Sequence, residues 1–263
     1  MRSMKFALLV GIAGGVLFAQ VPAITAGGVL NGASFTKGQA VAPGSLVSIF
    51  GSNLASSLLQ GDTVPLSTGL GGTSATFNGT PAGLYFVSQG QINAQIPWDI
   101  PLSTGSVNMV VTAPGGTSSN FSVPVAGLSP GIFSIPPGAG YAIAINADGS
   151  VAAPVGAIAG IATRPAKVGD TLVVLANGLG AVDTPIANGA ASLDALRNTV
   201  TKPVVLIGGQ AASVPFSGLT PQFPGVNQLN VVVPNVSIGD SVPIQIQEGG
   251  ITSPSSVVIS IGK

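Results

Sequence analysis

The chain has 263 residues, of which 46% are hydrophobic and 6% charged, with 38 glycines, 21 prolines and neither cysteine nor histidine. Eight basic residues balance eight acidic ones, so the sequence lacks the basic surface that neutralises nucleic-acid phosphates. Without cysteine and histidine, the chain has no disulfides, no thiolate chemistry, no Ser-His-Asp triad and no His-ligated metal. Many short strands joined by tight turns would give this composition, whereas long amphipathic helices need more charged residues.

The N-terminal segment is typical of an export signal. Arg2 and Lys5 precede an apolar stretch over 6–18 that is too short to span a membrane comfortably. Cleavage positions follow at three small residues: Ala19, Ala23 and Ala26. We expect a signal peptide within 1–26, a secreted or cell-surface protein, and no integral membrane segment after cleavage. Loss of the two basic residues leaves six basic and eight acidic residues, a net charge of −2.

In chain order, the first predicted strands are 46–50, 73–77, 82–87, 91–96, 106–112 and 119–125, with a long loop over 52–70. Asn78-Gly79 favours a tight turn, so we predict a hairpin between 73–77 and 82–87. A second series follows in the same order: 172–176, 204–207, 212–216, 228–233, 241–247 and 256–261, with a loop over 177–201. Matching features lie 126 to 137 positions apart, as loop insertions in a duplicated domain would produce.

The repeat is clearest in two strands, Gln91-Ile92-Asn93-Ala94-Gln95-Ile96-Pro97 and Gln228-Leu229-Asn230-Val231-Val232-Val233-Pro234. In both, apolar residues occupy every second position, which is the period of a strand with one buried face. Both end in proline, which fits a strand end. We predict an all-β protein of two tandem immunoglobulin-like β-sandwiches, 27–126 and 166–263. Between them, 127–165 contains a hairpin near Tyr141–Ile145 and is expected to be an ordered connector packed between the modules.

The opening over 43–54 and the strand that ends at Pro97 before Gly105 resemble the IPT/TIG class of immunoglobulin-like domains. Several segments resemble an uncharacterised C-terminal domain family of secreted acidobacterial (Solibacter-type) proteins. They are 31–35, 41–45, 91–93, 130–133, 177–180, 207–209 and 228–230. The resemblance implies an immunoglobulin-like fold and export. Because that family has no assigned activity, it implies no catalytic residues.

The eight carboxylates are scattered along the sequence, which disfavours the paired acids of a glycosidase. Asp170 and Asp240 lie at equivalent turns, where we expect their side chains to bond backbone N–H groups. The segment 146–150 resembles a calcium loop faintly but lacks further carboxylates, so a β-turn is favoured. We therefore expect no catalytic residues, no metal and no cofactor. A hydrolase that uses scattered carboxylates is a remote alternative.

Trp98 is the single candidate ligand-binding residue. An exposed indole beyond a strand end could stack on a sugar ring, while the alternative is that Trp98 caps the core or fills the contact between modules. Asn93 and Asn230 lie opposite the apolar face of equivalent strands. We expect each to bond a neighbouring loop, with a ligand contact as the alternative. Three aromatic residues lie in predicted strands and are expected in the core: Tyr85, Phe86 and Phe216.

The leading hypothesis is a non-enzymatic exported module for cell-surface or extracellular recognition or adhesion. Its partner would be an extracellular protein or a polysaccharide, with carbohydrate binding as one form, and no nucleic acid. The alternative is a structural, self-associating extracellular protein. In that case low-charge strands such as 204–207 and 231–233 would pair with other chains if they lay at an exposed edge.

Overall fold

A computed structural model of the protein describes residues 20–263, so the predicted n-region and apolar stretch of the export signal lie outside the described residues. The described chain is all-β, and none of its segments is a helix that could cross a membrane. Its strands form two sandwiches, and the predicted all-β, immunoglobulin-like fold class is confirmed.

The first sandwich contains the first ten strands. They are β1 (Ala23–Asn31), β2 (Leu46–Ser52), β3 (Leu59–Gln60), β4 (Ser74–Phe77), β5 (Thr80–Pro81), β6 (Gly83–Val87), β7 (Gln91–Gln95), β8 (Ser106–Ala113), β9 (Gly116–Thr117) and β10 (Phe121–Pro124). One sheet has the order β1-β2-β7-β6-β3 and the other β10-β8-β4-β5. Both sheets contribute to one core, which includes Ile49 and Ile92 from the first and Phe77 and Met109 from the second.

This strand order is that of the constant-type immunoglobulin fold. In chain order, β1, β2, β4, β6, β7, β8 and β10 take the places of strands A to G. The sheet β1-β2-β7-β6 is then A-B-E-D, and β4-β8-β10 is C-F-G. The assignment follows from strand order and pairing alone.

The second sandwich contains the remaining strands. They are β11 (Gly131–Ile132), β12 (Ser134–Ile135), β13 (Gly140–Ala142), β14 (Ala144–Ile145), β15 (Val151–Ala152), β16 (Thr163–Arg164), β17 (Thr171–Asn177), β18 (Val204–Ile207), β19 (Gln210–Leu219), β20 (Asn227–Val232), β21 (Gly239–Glu248), β22 (Ile251–Thr252) and β23 (Val257–Ile261). Here β14-β17-β20-β19 corresponds to A-B-E-D and β18-β21-β23 to C-F-G. The long β19 pairs with both β18 and β20, so it joins the two halves of the sandwich.

The segment 127–165, predicted as a connector packed between the modules, contributes its strands to the second sandwich. β13 runs parallel to β23, and β14 runs antiparallel to β17. Without β14 and β11, β17 would be an edge strand with unpaired backbone groups. The segment therefore completes the second sandwich in addition to linking the two.

The hairpin predicted between 73–77 and 82–87 is wrong. Asn78 and Gly79 do adopt positive φ angles of 48° and 84°, but the turn joins β4 to the two-residue β5. The ladder continues to Ala82, whose N–H donates to Ala75 O at 2.9 Å, and the chain then crosses to the other sheet, where β6 pairs with β7. The matching hairpin of the second module, between β18 and β19, is confirmed.

Two buried asparagines join the sandwiches. Asn177 Nδ2 donates to Leu46 O at 2.8 Å and to Asn31 Oδ1 at 3.0 Å, and Asn177 Oδ1 accepts from Leu46 N at 2.8 Å. Asn31 Nδ2 in turn donates to Ser129 O at 2.7 Å. Because Asn31 and Asn177 are both fully buried, these bonds link the first sandwich, the 127–165 segment and the second sandwich without intervening solvent.

Candidate functional site

The outer faces of the two A-B-E-D sheets carry the same asparagine at the same register. Asn93 lies opposite Ser48 on β2 and opposite Phe86 on β6. Asn230 lies opposite Val173 on β17 and opposite Phe216 on β19. Residues that pair directly across antiparallel strands point to the same face, so each asparagine lies between these two neighbours.

Both asparagines bond a glutamine two residues earlier on the same strand. Gln91 Nε2 donates to Asn93 Oδ1 at 2.8 Å, and Gln228 Nε2 donates to Asn230 Oδ1 at 2.9 Å. The expected bond to a neighbouring loop is wrong, because the partners lie in the sheet itself. In the first sandwich alone, a third side chain joins the pair: Ser48 Oγ donates to Asn93 Oδ1 at 3.0 Å.

The face around Asn93 is largely covered by the rest of the molecule. The remaining cavity has a volume of about 190 Å³, and Phe133 from the 127–165 segment lines it. Tyr85 also lines it and donates its hydroxyl to Pro224 O of the second sandwich at 2.8 Å. Burial raises the pKa of the Tyr85 phenol further above neutral pH.

The face around Asn230 opens to a larger cleft, which we call the second-sandwich cleft. Its volume is about 600 Å³. The residues that line it are Ser192, Leu193, Asp194, Ala195, Leu196, Phe216, Leu219, Pro221, Gln228 and Asn230. A loop thus forms one wall, and the sheet forms the floor.

Arg197 holds the loop wall in place. It is 5% exposed, and its guanidinium donates to both carboxylate oxygens of Asp194, at 2.7 Å and 3.1 Å, to Ser192 Oγ at 3.1 Å and to Pro185 O at 3.2 Å. Next along the chain, Asn198 forms a β-bridge with Gly218 of β19. These contacts fix the loop beside the sheet, so the cleft is preformed.

Apolar side chains are exposed on that wall. Leu193 and Leu196 are 72% and 68% exposed, so the wall offers apolar surface to the cleft. Phe216, expected in the core, is half-buried on the outer face. Its ring lies close over Gly218, where a Cβ would be 2.7 Å from Phe216 Cζ. Glycine at 218 therefore makes room for an aromatic surface in the cleft.

The cleft is electrically neutral. Asp194 is the only charged side chain that lines it, and the hydrogen bonds from Arg197 lower the pKa of Asp194 to about 2. Asp194 is therefore ionised at neutral pH and compensated by Arg197. A ligand that depends on charge recognition would find no uncompensated partner here.

Trp98 lies at the contact between the sandwiches. Its ring packs against Gly44, where any Cβ would overlap the indole. Gly178, Leu179 and Gly225 lie around the same point. The backbone N–H of Trp98 donates to Asn188 Oδ1 at 2.8 Å, and the indole Nε1 is buried without a hydrogen-bond partner in the described chain. This position fits the alternative in which Trp98 fills the contact between modules.

Three carboxylates, those of Asp148, Asp170 and Asp240, occupy structural positions in the described chain. Asp170 Oδ2 accepts from Lys167 N at 3.0 Å, as predicted, whereas Asp240 Oδ1 accepts from the Ser260 hydroxyl instead of a backbone N–H. Asp148 accepts from Ser150 Oγ and from Arg164 Nε, each at 2.6 Å, within a turn. Residues 20–263 contain no group of three or more potential metal-ligating acids.

Arg164 also approaches Asp170, so two carboxylates converge on one guanidinium. The hydrogen bonds from Ser150 and Arg164 hold the pKa of Asp148 well below its usual range. A glycosidase needs one of its two acids protonated at working pH. Asp148 is ionised at neutral pH and therefore could not be the protonated acid of such a pair.

Glu248 is a buried carboxyl that sequence reasoning missed. It is 3% exposed, and neither carboxylate oxygen has a hydrogen-bond partner in the described chain. Burial raises its pKa to about 7. The first sandwich has Ala113 at the same register of the F–G hairpin, since Ala113 pairs with Gly116 as Glu248 pairs with Ile251.

The strands singled out for self-association lie inside the sheets. β18, which is 204–207, pairs with β19 on one side and β21 on the other. β20, which ends at Val232, pairs with β17 and β19. Among the edge strands of the described chain, β3, β5, β12 and β16 are two residues long, whereas β1 has nine residues. Short edges offer little backbone for pairing with another chain.

No protein-family model matches the chain, and the comparison with curated proteins found no match either. The resemblance to the family of secreted acidobacterial proteins therefore stays a prediction.

Three solved structures are similar to this chain at low identity. The plexin A4 extracellular region, domains 1 to 8, is 11% identical, with 99% of this chain and 20% of that chain covered, at a TM-score of 0.28. SGBP-B of the Bacteroides ovatus mixed-linkage glucan utilization locus, in complex with a heptasaccharide, is 14% identical, covers 85% and 44%, and has a TM-score of 0.31. The I9–I11 tandem of titin is 12% identical, covers 92% and 67%, and has a TM-score of 0.21.

This chain spans a fifth of the plexin region and less than half of the Bacteroides protein. Because all three TM-scores lie well below 0.5, the fold assignment rests on strand order and pairing, and no function is carried over from these proteins.

Proposed function

We propose that this is an exported, non-enzymatic recognition protein that binds an uncharged polysaccharide in the second-sandwich cleft. The observation that carries the proposal is an open, neutral cleft in which a hydrogen-bonded amide pair lies beside an aromatic ring and exposed leucines. The basic and apolar N-terminal segment supports export to the cell surface or the medium.

The chemistry of the cleft matches that of a neutral sugar. A sugar ring has an apolar C–H face, which Phe216, Leu193 and Leu196 would contact, and hydroxyls around its edge. Side-chain amides offer both donors and acceptors to such hydroxyls. Acidic polysaccharides are disfavoured, because Arg197 is already engaged by Asp194.

A second cleft, of about 630 Å³, lies near the β18–β19 turn and the loop after β20. The side chains that line it include Gln210, Asn235 and Ile238 but no aromatic residue. It lacks the flat apolar surface on which a sugar ring would stack, so the proposal favours the second-sandwich cleft.

The test is a glycan array with the exported chain that begins at Gln20, which keeps β1 whole. It is run beside Phe216→Ala and a matched control, Phe86→Ala, at the same register of the first sandwich. The proposal expects saturable binding to uncharged glycans that Phe216→Ala removes and Phe86→Ala retains. Absence of binding to every glycan, or binding to charged glycans alone, would overturn it.

The prediction that Trp98 contacts the ligand stays a prediction, and a Trp98→Ala variant in the same array tests it. Loss of binding in Trp98→Ala with Phe216→Ala unaffected would move the site to the contact between the sandwiches. Thermal unfolding of each variant separates loss of a contact from loss of the fold.

The self-association alternative has one observation in its favour, the exposed Leu193 and Leu196. Two copies could bury these side chains against each other. Sedimentation of the wild type and of a Leu193→Ser/Leu196→Ser double variant tests this. A concentration-dependent dimer that the double variant abolishes would favour assembly over glycan binding.

A further inference from the structure

The first sandwich contains a hydrogen bond that the second sandwich lacks. From this difference we infer that the second-sandwich cleft binds a sugar whose hydroxyl donates to Asn230 Oδ1, at the place that the Ser48 hydroxyl occupies beside Asn93. The inference rests on the proposed function and assigns the atoms that recognise the ligand.

The two asparagines can be compared because the backbone around them is paired in the same way. Ser48 pairs with Asn93 across β2 and β7, and Val173 pairs with Asn230 across β17 and β20. Val173 therefore stands where the first sandwich has Ser48. The glutamine-to-asparagine bond is present in both, at 2.8 Å and 2.9 Å.

The hydrogen bonds of the two asparagines differ in one donor, because Asn230 has no counterpart of the Ser48 hydroxyl. Asn93 Oδ1 accepts two hydrogen bonds, one from Gln91 and one from Ser48. Asn230 Oδ1 accepts one, because the valine methyl groups at 173 cannot donate. An amide oxygen has two lone pairs, so one acceptor position on Asn230 is left open.

Two further amide atoms are available beside it. Within residues 20–263, neither Asn230 Nδ2 nor Gln228 Oε1 has a protein hydrogen-bond partner. Together they offer donors and an acceptor next to the open position on Asn230 Oδ1. Adjacent hydroxyls on one sugar ring each donate and accept, and so match this arrangement.

The space above the amides is also larger in the second sandwich than in the first. The cavity over Asn93 has about 190 Å³, and the cleft over Asn230 has about 600 Å³. In the first sandwich the protein's own hydroxyl, Phe133 and Tyr85 occupy this region. In the second, Gln228 and Asn230 line an open cleft, and an aromatic ring, Phe216, lies beside Asn230 on β19.

The test compares variants at the two registers by titration calorimetry with uncharged hexasaccharides of glucose, mannose and xylose. Asn230→Ala removes the acceptor and is expected to weaken binding at least about tenfold, the loss typical of one or two hydrogen bonds. Its matched control, Asn93→Ala, changes the closed face and is expected to stay within about twofold of wild type.

Val173→Ser and the similarly shaped Val173→Thr supply the missing hydroxyl from the protein itself. Because that hydroxyl would occupy the open position on Asn230, both are expected to weaken binding about tenfold, whereas Val173→Ala stays near wild type. The hexasaccharide that binds is also tested as its methyl ether, which cannot donate and is expected not to bind.

The outcomes distinguish failure of the inference from failure of the proposed function. Wild-type affinity in Asn230→Ala, or in both hydroxyl-bearing variants, would overturn the inference and leave the proposed function in place. Equal affinity for the methyl ether would do the same. Failure of the wild type to bind any uncharged hexasaccharide, with no binding on the array, would overturn the proposed function and the inference with it.

Discussion

The outer A-B-E-D faces of the two sandwiches share a strand register and an amide pair, yet one is closed and the other open. In the first, Ser48, Phe133 and Tyr85 fill the space over Asn93. In the second, the loop fixed by Arg197 stands beside Asn230 and leaves a cleft. The difference teaches that two surfaces with the same strand register can differ in exposure, because one is covered by internal packing and the other is open to solvent.

The largest expected effect comes from the junction that closes the first face. Asn177→Ala would remove three buried hydrogen bonds between the sandwiches and leave Leu46 N without its acceptor, while Leu46 O keeps the bond from Gly32 N. We expect a loss on the order of 3 kcal/mol or more in the free energy of unfolding, and separate unfolding of the two sandwiches. Differential scanning calorimetry measures both.

The control for that variant is Asn188→Ala, which removes exposed bonds at the same contact and is expected to change stability by less than about 0.5 kcal/mol. A single transition of wild-type stability in Asn177→Ala would show that the buried asparagines do not hold the sandwiches together.

A second prediction uses the contrast between Ala113 and Glu248. The folded-state pKa of Glu248 is about 7, above the ordinary value of 4.5. The protonated carboxyl is favoured in the fold, so its contribution is fully present below about pH 4.5 and is lost as the pH rises through 7. The wild type should lose up to about 3 kcal/mol of stability over that window.

Glu248→Gln has no proton to lose and should remove this slope, which urea unfolding at several pH values would measure. The matched variant in the first sandwich, Ala113→Glu, should introduce a similar slope. If Glu248→Gln kept the pH dependence of the wild type, the slope would have to come from other groups.

A third, smaller effect compares the two asparagines. Asn93→Ala would leave the Ser48 hydroxyl and the Gln91 amide without their acceptor, whereas Asn230→Ala affects only Gln228. Asn93→Ala should therefore be more destabilising by about 1 kcal/mol, as judged by chemical unfolding. Equal losses in the two variants would mean that the Ser48 bond contributes nothing to stability.

The smallest effect is expected in the cleft wall. Leu193→Ser and Leu196→Ser change side chains that are 72% and 68% exposed, so stability should stay within about 0.5 kcal/mol of wild type. The same melting curves that serve as folding controls for the binding assays test this. A loss of several kcal/mol would mean that these leucines belong to the packing of the loop and not to an open surface.

The strands of both sandwiches could be predicted because their alternation is local to the sequence. The pairing of 127–165 with the second sandwich could not, because β13 and β14 are short and gain their place only by contact with β23 and β17. Likewise the strand pattern alone predicts a hairpin at Asn78-Gly79, and only the sheet order shows that β6 lies on the other side.

The candidate site was half visible in the sequence. The repeat predicts that Asn230 corresponds to Asn93. It does not predict that the face around Asn230 is open, because that depends on Val173 and on a loop fixed by Arg197. Strand alternation predicts that Phe216 lies in the core. It does not predict the bulge between Ser213 and Phe216, which changes the face on which the Phe216 side chain lies. A comparison of the two repeats position by position, with Ser48 set against Val173, would have been the signal to follow.

The hydrogen bonds of Asn177 across the junction also constrain how the protein can evolve. Each sandwich has its own core, but the side chain of Asn177, in the second, satisfies the backbone of Leu46, at the start of a strand in the first. If the first sandwich were transferred alone into another gene, the backbone N–H of Leu46 would lack its hydrogen-bond acceptor. The two sandwiches are therefore expected to be inherited together, with later change concentrated in the loops around the open face.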